Sequence, residues 1–359
     1  MKILLISPIY PSQTSPTNGI HVRRVHLLYE RLGHQVDLVE YEKASGKLDK
    51  MKNMMRFMRD IRSALQSSRH DLINVQYPFI AAIPFRFTKH HAPVVTTVHG
   101  SDIVFNTALK KMLGGFTRHL LEESTAVIAP SEYFRELLLK RYDLEPARVV
   151  SSPPAGYDGR YFYPAEPAPG SQDGLEWVGF ASRIVQGKGW QVALDAFLRA
   201  AEDPVMAKVG LIFAGSGPEE DQLKERLEGL GGKLAERIQW AGNLDEEQMG
   251  DFLRNLDIFL FPTLFEESLG LVAIESMACG TPVIASELGA TRGYVEESRN
   301  GFLVPAGDVE ALARVITDYF RLPGETREAM RQRANASVEG YEMEKVALTL
   351  DEILQTAAE

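Results

Sequence analysis

Strand-like and helix-like stretches alternate along all 359 residues, and this alternation narrows the fold more than any other feature. A chain that returns to a strand after each helix builds parallel sheets covered on both faces, the α/β class. In the first half, strands are expected at Lys2–Ser7, Gln35–Glu40, Leu72–Gln76, Val94–His99, Ala126–Ile128 and Val149–Ser151. Helices are expected over Val22–Leu32, stopped by Gly33-His34, and over Glu132–Arg141 behind Ser131 as N-cap. The stretch 163–174, YPAEPAPGSQDG, reads as a linker. Strands resume at Leu175–Phe180, Lys208–Ala214, Ile238–Ala241, Asp257–Phe261 and Val283–Ala285. The length suits two domains, expected at 1–165 and 166–340, with a last segment, 341–359.

The first residues, MKILLISPIYPS, form a short apolar run ended by Pro, which reads as a first strand and not as a signal peptide. No apolar run reaches the ~18 residues of a spanning helix. Cys279 is the only cysteine, which excludes an internal disulfide and suits a cytoplasmic setting. Charge divides sharply. Residues 1–165 carry 22 Lys and Arg against 15 Asp and Glu, net +7, and residues 166–359 carry 17 against 34, net −17. All eight histidines lie in the first half. Either the basic half meets something acidic, such as an anionic membrane surface or a charged acceptor, or two domains have simply diverged in charge.

Residues 261–286, FPTLFEESLGLVAIESMACGTPVIAS, carry the most chemistry. Ser268-Leu269-Gly270-Leu271 opens a helix directly after a strand. Free backbone N–H groups at a helix N-terminus, here those of Gly270, Leu271 and Val272, favour a phosphate or diphosphate. Glu267 precedes that turn, and Glu275 lies one to two turns into the helix with its Cβ tilted back toward the same end. One carboxylate can sit beside the phosphates and another can accept from sugar hydroxyls, which suits a nucleotide sugar. Taken singly, Glu267 is also what a helix dipole favours in a first turn, and Glu275 also suits a solvated face.

The pair Glu267-x7-Glu275, followed by Gly280-Thr-Pro-Val283, resembles the signature of retaining glycosyltransferases of the GT-B fold, family 4. The resemblance implies two Rossmann-like strand–helix domains facing across a cleft. The C-terminal domain would bind the nucleotide sugar and the N-terminal domain the acceptor. A last helix, matched by Glu342–Leu354 with apolar Val346, Leu348, Leu350 and Leu354, would return to the first domain. It gives Arg183 and Lys188, in ASRIVQGKGW, the role of stabilising the leaving diphosphate, work that two cations perform without a metal. Glu275 would hold the ribose and Glu267 the sugar hydroxyls. Gly215-Ser-Gly217-Pro lacks the third glycine of a dinucleotide fingerprint, so it reads either as a donor-side turn or as a tight strand–helix turn.

In the first half, Asn18-Gly19 stands where the family often has Gly-Gly near the donor phosphates, and Asn tolerates positive φ better than most residues. His99-Gly-Ser-Asp102 closes a strand; the resemblance gives His99 a contact to the donor sugar and Asp102 a role toward the acceptor. Gly289-Ala-Thr-Arg-Gly293 replaces the family's G-G-x-P-E loop, which loosens any inference about donor identity. In 50–68, Met51, Met54, Met55, Met58, Ile61 and Leu65 share a helical stripe, with Lys52, Arg56 and Arg59 opposite. The stripe suits core packing or an interfacial helix. The reading is a metal-independent retaining enzyme with a UDP-sugar donor, GDP-sugar second. The acceptor is a glycan, a lipid-linked or a small molecule, and no cofactor and no nucleic acid takes part. A sugar-nucleotide 2-epimerase and a non-catalytic partner subunit are the alternatives.

Overall fold

In the computed structural model the first strand, Lys2–Ser7 (β1), is buried on both faces after its first residue, as a central parallel strand must be. The structure describes residues 1–12, 18–44, 46–67, 69–100, 102–103, 108–165 and 174–359, of which 108–111 and 233 by backbone alone. It divides into two compact units, Met1–Gly156 with Met343–Glu359, and Tyr157–Glu342.

In the first unit, β1 is followed by helix α1 (Ile20–Arg31), β2 (Gln35–Glu40), α2 (Lys47–Leu65), β3 (Leu72–Gln76) and the short α3 (Pro78–Ala81). Then come β4 (Val94–Thr97), α4 (Ala108–Glu123), β5 (Ala126–Ala129), α5 (Glu132–Arg141) and β6 (Val149–Ser151). The sheet order is β2-β1-β3-β4-β5-β6, with every pairing parallel. The order reverses between β1 and β3. Such a switch point opens a crevice beyond the carboxyl ends of the two strands.

The second unit contains β7 (Glu176–Ala181), α6 (Trp190–Ala200), β8 (Val209–Ala214), α7 (Glu220–Glu228), α8 (Gly232–Ala235), β9 (Ile238–Trp240) and α9 (Glu246–Arg254). It continues with β10 (Ile258–Phe261), α10 (Leu271–Ala278), β11 (Val283–Ser286), β12 (Gly301–Val304), α11 (Val309–Arg321) and α12 (Gly324–Val338). Its order is β12-β11-β10-β7-β8-β9, again all parallel, with the switch point between β7 and β10. Trp190, Phe180, Phe197 and Phe213 centre the core on one face of this sheet, and Phe259, Ile274 and Met277 on the other.

The unit boundary falls ahead of the Pro-rich stretch, because Tyr157 and Phe162 are buried with Leu253 and Phe259 in the second unit's core. Residues 166–173 of the expected linker lie outside the described residues. The last helix, α13 (Met343–Ala358), buries Val346, Leu350, Leu354 and Ala357 against Ile3, Leu5, Val25 and Tyr29 of the first unit. Leu348, expected on the packed face, points to solvent at 68% exposure. The methionine stripe of α2 is also split. Met54, Phe57, Ile61 and Leu65 pack inward, while Met51 and Met55 stay 56% and 59% exposed.

Candidate functional site

Loops leaving the carboxyl ends of β7, β8, β10 and β11 interlock at the switch point of the second sheet. Leu264 N–H donates to Gly187 O at 2.8 Å, Ile184 N–H to Ser216 O at 3.0 Å, and Ala290 N–H to Glu267 O at 3.2 Å. Glycines allow the close approach. A Cβ on Gly215, at φ 111°, would stand 1.9 Å from the Ser182 carbonyl oxygen, and one on Gly217 would stand 2.3 Å from that of Ile184. Both glycines thus seat the loop that carries Arg183 and Lys188.

Within this frame Lys188 Nζ donates to Glu267 Oε1 at 2.5 Å, and Thr263 Oγ1 donates to the same oxygen at 3.1 Å. Both ionic side chains are largely covered, at 28% and 15% exposure, so the pair is screened less than a surface ion pair. Lys188 and Glu267 were each assigned to substrate from the sequence; in the structure they hold each other. Arg183 is exposed and has no ion-pair partner among the described residues. The loop after β7 thus carries one cation without an ion-pair partner among the described residues and one already compensated.

Gly270 caps α10 in the left-handed conformation, φ 80°, and no side chain caps the helix. Its first N–H groups, from Leu271 and Val272, remain available at half-buried positions. Leu269 turns its side chain into the core, so only its backbone faces the turn, while Ser268 is half-buried. Glu275 lies on the second turn, buried at 7% exposure. Beneath the turn sits the Tyr294 hydroxyl, buried and without a hydrogen-bond partner among the described residues; a Cβ on Gly270 would approach it to 2.8 Å. Burial, with the Glu267 charge adding to it, pushes the Tyr294 phenol well above its ordinary pKa. Gly289, φ 68°, backs onto Glu267, and a Cβ there would stand 2.8 Å from the Glu267 carbonyl oxygen. The sequence marks Gly289 only as part of a loop that departs from the family pattern, and it gives no signal for Thr263 or Tyr294, whose duties depend on residues distant in the chain. Among the described residues no group of three His, Cys, Asp or Glu side chains is arranged to hold a metal ion.

The first unit carries a second cluster at its own switch point. His99 lies two residues beyond β4, and its backbone N–H donates to both carboxylate oxygens of Asp102, at 3.0 and 3.1 Å. Asp102 therefore shapes the turn. The His99 ring stacks on Tyr77 at 3.9 Å between centroids and 10° between planes, and lies 4.9 Å from His21. Tyr77 Oη and His21 Nε2 are hydrogen-bonded at 2.7 Å. Burial lowers the His21 pKa to about 4, with Arg24 adding to the effect. Burial, then His21, holds His99 well below its ordinary value. Gly19, not Asn18, supplies the positive φ, 81°, at the start of α1, where a Cβ would clash with Ile9.

Comparison with known proteins agrees with this geometry. Residues 165–337 match the profile of glycosyl transferases group 1, and residues 19–155 match that of glycosyltransferase family 4. The chain belongs to glycosyltransferase family 4. A phosphatidyl-myo-inositol mannosyltransferase of Mycobacterium leprae is 34% identical over 175 residues, which is 48% of this chain and 44% of that one. The matched stretch thus spans less than half of that relative. The fold is that of a sucrose-phosphate synthase from Thermosynechococcus elongatus, with a TM-score of 0.80, 21% identity, and coverage of 99% and 98%. It is also that of Anabaena Alr3699/HepE in complex with UDP, with a TM-score of 0.74, 19% identity, and coverage of 99% and 100%. These neighbours have the GT-B fold, two Rossmann-like domains, as this family 4 chain does. In the loop 289–293, whose sequence departs from the family pattern, Gly289 packs closely under Glu267.

Proposed function

We propose that the protein is a retaining glycosyltransferase that moves a sugar from a nucleotide diphosphate sugar, UDP-linked before GDP-linked, to a lipid-linked, glycan or small-molecule acceptor. One observation carries the reading. The loop after β7, which carries Arg183 and the Lys188 paired with Glu267, meets the loops after β8 and β10 at the switch point between β7 and β10, where α10 starts without a side-chain cap and carries Glu275 on its second turn. Breaking the sugar–phosphate bond places growing charge on the departing diphosphate, and preorganised cations and backbone N–H groups stabilise that charge without a metal. Arg183 has no ion-pair partner among the described residues. Lys188 gains its full effect when it exchanges Glu267 for phosphate, which frees the Glu267 carboxylate to accept from sugar hydroxyls. Glu275 holds the ribose.

The HepE complex with UDP supports a uridine donor, and the mannosyltransferase relative supports a lipid acceptor. An anionic membrane surface is the further partner in this reading, because α2 leaves Leu48, Met51 and Met55 exposed along one side among basic residues. Among the described residues, no helix is long and apolar enough to cross a membrane.

The test is product analysis with UDP- and GDP-sugars in excess EDTA, with and without acceptor lipid or glycan. Transfer with retained anomeric configuration, and only when acceptor is present, is expected. Conversion of the nucleotide sugar alone would favour an epimerase. Dependence on added Mn²⁺ or Mg²⁺ would contradict the metal-free site.

A further inference from the structure

A chain of buried amides leads from the sheet interior to His99. The Asn74 Nδ2 group donates to the Val95 carbonyl oxygen at 3.0 Å, and a carbonyl oxygen can only accept. This fixes the orientation of the Asn74 amide, so its Oδ1 must accept. Tyr29 Oη donates to that oxygen at 3.3 Å and Gln76 Nε2 at 2.7 Å. Gln76 Nε2 also reaches Thr97 Oγ1 at 3.2 Å. With its nitrogen turned inward, Gln76 presents Oε1 to His99 Nε2, 2.7 Å away. That oxygen cannot donate, so the proton of the pair belongs to His99 Nε2. Asn74 and Gln76 are 0% and 1% exposed; a flip of Asn74 would break two or more buried hydrogen bonds, and a flip of Gln76 would set its oxygen against Asn74 Oδ1, two acceptors without a proton between them.

The ring is also held in place. Tyr77 covers one face. It does so from a left-handed backbone conformation, φ 55° and ψ 72°, which is unfavourable for a residue before proline. Its N–H bond to Thr97 O at 3.2 Å and its hydroxyl bond to His21 help to hold it there. The titratable groups that face His99 are His21 from α1, Tyr77 after β3 and Asp102 in its own turn. Arg24 stands behind His21. The imidazole therefore stays neutral at physiological pH, and its Nδ1 has no hydrogen-bond partner among the described residues.

We propose that Asn74 and Gln76 are positioning residues that lock His99 in its Nε2–H tautomer, so that Nδ1 serves as a hydrogen-bond acceptor for a substrate hydroxyl. The identity of that hydroxyl as a sugar or acceptor O–H rests on the glycosyltransferase reading; the tautomer does not. His99 in this state is neither a cation for the diphosphate nor a proton donor. A ligand whose hydroxyl is replaced by an acceptor-only group would lose this contact.

The experiment has two arms. In nitrogen NMR of the histidine-labelled protein, assigned against His99→Asn, His99 should show a bare Nδ1 and a protonated Nε2, unchanged from neutral to mildly acidic pH. A proton on Nδ1, or titration near the ordinary value of ~6.5, would overturn the proposal. In Gln76→Glu the carboxylate beside Nε2 should raise the His99 pKa and turn Nδ1 into a donor. kcat/KM should then fall about tenfold at neutral pH and recover as pH rises through the raised pKa, with UDP affinity unchanged. A flat pH profile with undiminished kcat/KM, in a variant whose spectrum shows a charged His99, would also overturn it. If the wild-type protein neither binds UDP nor transfers sugar, the glycosyltransferase reading fails, while the NMR arm still decides the tautomer.

Discussion

Lys188 and Arg183 differ in a way that their shared place in one loop does not disclose. Lys188 spends its charge on Glu267, at 2.5 Å, while Arg183 is unpaired among the described residues. If both stabilise the leaving diphosphate, Arg183→Ala and Lys188→Ala should each lower kcat by about 10²–10³ while the fold survives, the usual cost of one lost donor to transition-state charge. The two variants should separate in stability. Lys188→Ala leaves the largely covered Glu267 carboxylate bonded, among the described residues, to Thr263 alone, so its urea midpoint should fall below that of Arg183→Ala. Turnover near wild type in both variants would remove the diphosphate role from this loop. Equal stability of the two would mean that the Lys188–Glu267 pair contributes nothing measurable.

Among elements, the turn after β8 shows how packing decides what a glycine is for. Gly215 and Gly217 read equally as a donor-side turn or as a tight connection. Their missing side chains are filled by the backbone of the loop after β7, at 1.9 and 2.3 Å from where a Cβ would stand. Gly215→Ala should therefore destabilise the protein by about 2–4 kcal/mol, combining overpacking with a positive φ, as measured by urea denaturation. A change under about 0.5 kcal/mol, the range of inconsequential substitutions, would contradict the packing described.

The same contrast explains what the sequence disclosed. Strand positions were legible because continuously apolar runs such as KILLIS and VGLIFA permit little but a buried parallel strand. The strand Gly301–Val304 was not anticipated, since four residues opening on glycine carry almost no pattern. The Glu267–Glu275 spacing was legible as a motif. The Lys188–Glu267 pairing was not, because 79 residues separate the partners and only the reversal of strand order between β7 and β10 brings them together. His99 was picked out, but Tyr77, His21, Gln76 and Asn74 were not, for the same reason. In α2 the six-residue apolar stripe was correct as periodicity and misleading as a single face. Phe57 takes a core place and leaves Met51 and Met55 in solvent.

For the whole molecule, the division of charge into +7 and −17 halves gains meaning from that exposed edge of α2. Arg56 is tied to Glu42 and Arg59 to Asp60, yet both pairs are exposed and weakly held. If the edge meets lipid, the protein should sediment with anionic vesicles and not with neutral ones. Binding should weaken as salt rises, since each basic residue near such a surface contributes ~1 kcal/mol that salt screens. Met51→Asp with Met55→Asp should reduce it further with little loss of fold stability, because both residues are already in water. Equal binding to neutral and anionic vesicles at low salt would end the membrane reading and leave a soluble acceptor.

Ligand-dependent thermal stability tests most directly whether the switch point of the second sheet holds a nucleotide diphosphate sugar. With UDP, GDP and their sugars at about 100 times the dissociation constant, a binding ligand adds ~2.7 kcal/mol and raises Tm. The expected result is a rise with UDP and UDP-sugars, smaller or absent with GDP, retained in EDTA and strongly reduced in Arg183→Ala. No shift with any nucleoside diphosphate in the wild-type protein, or a shift that Arg183→Ala leaves intact, would contradict it.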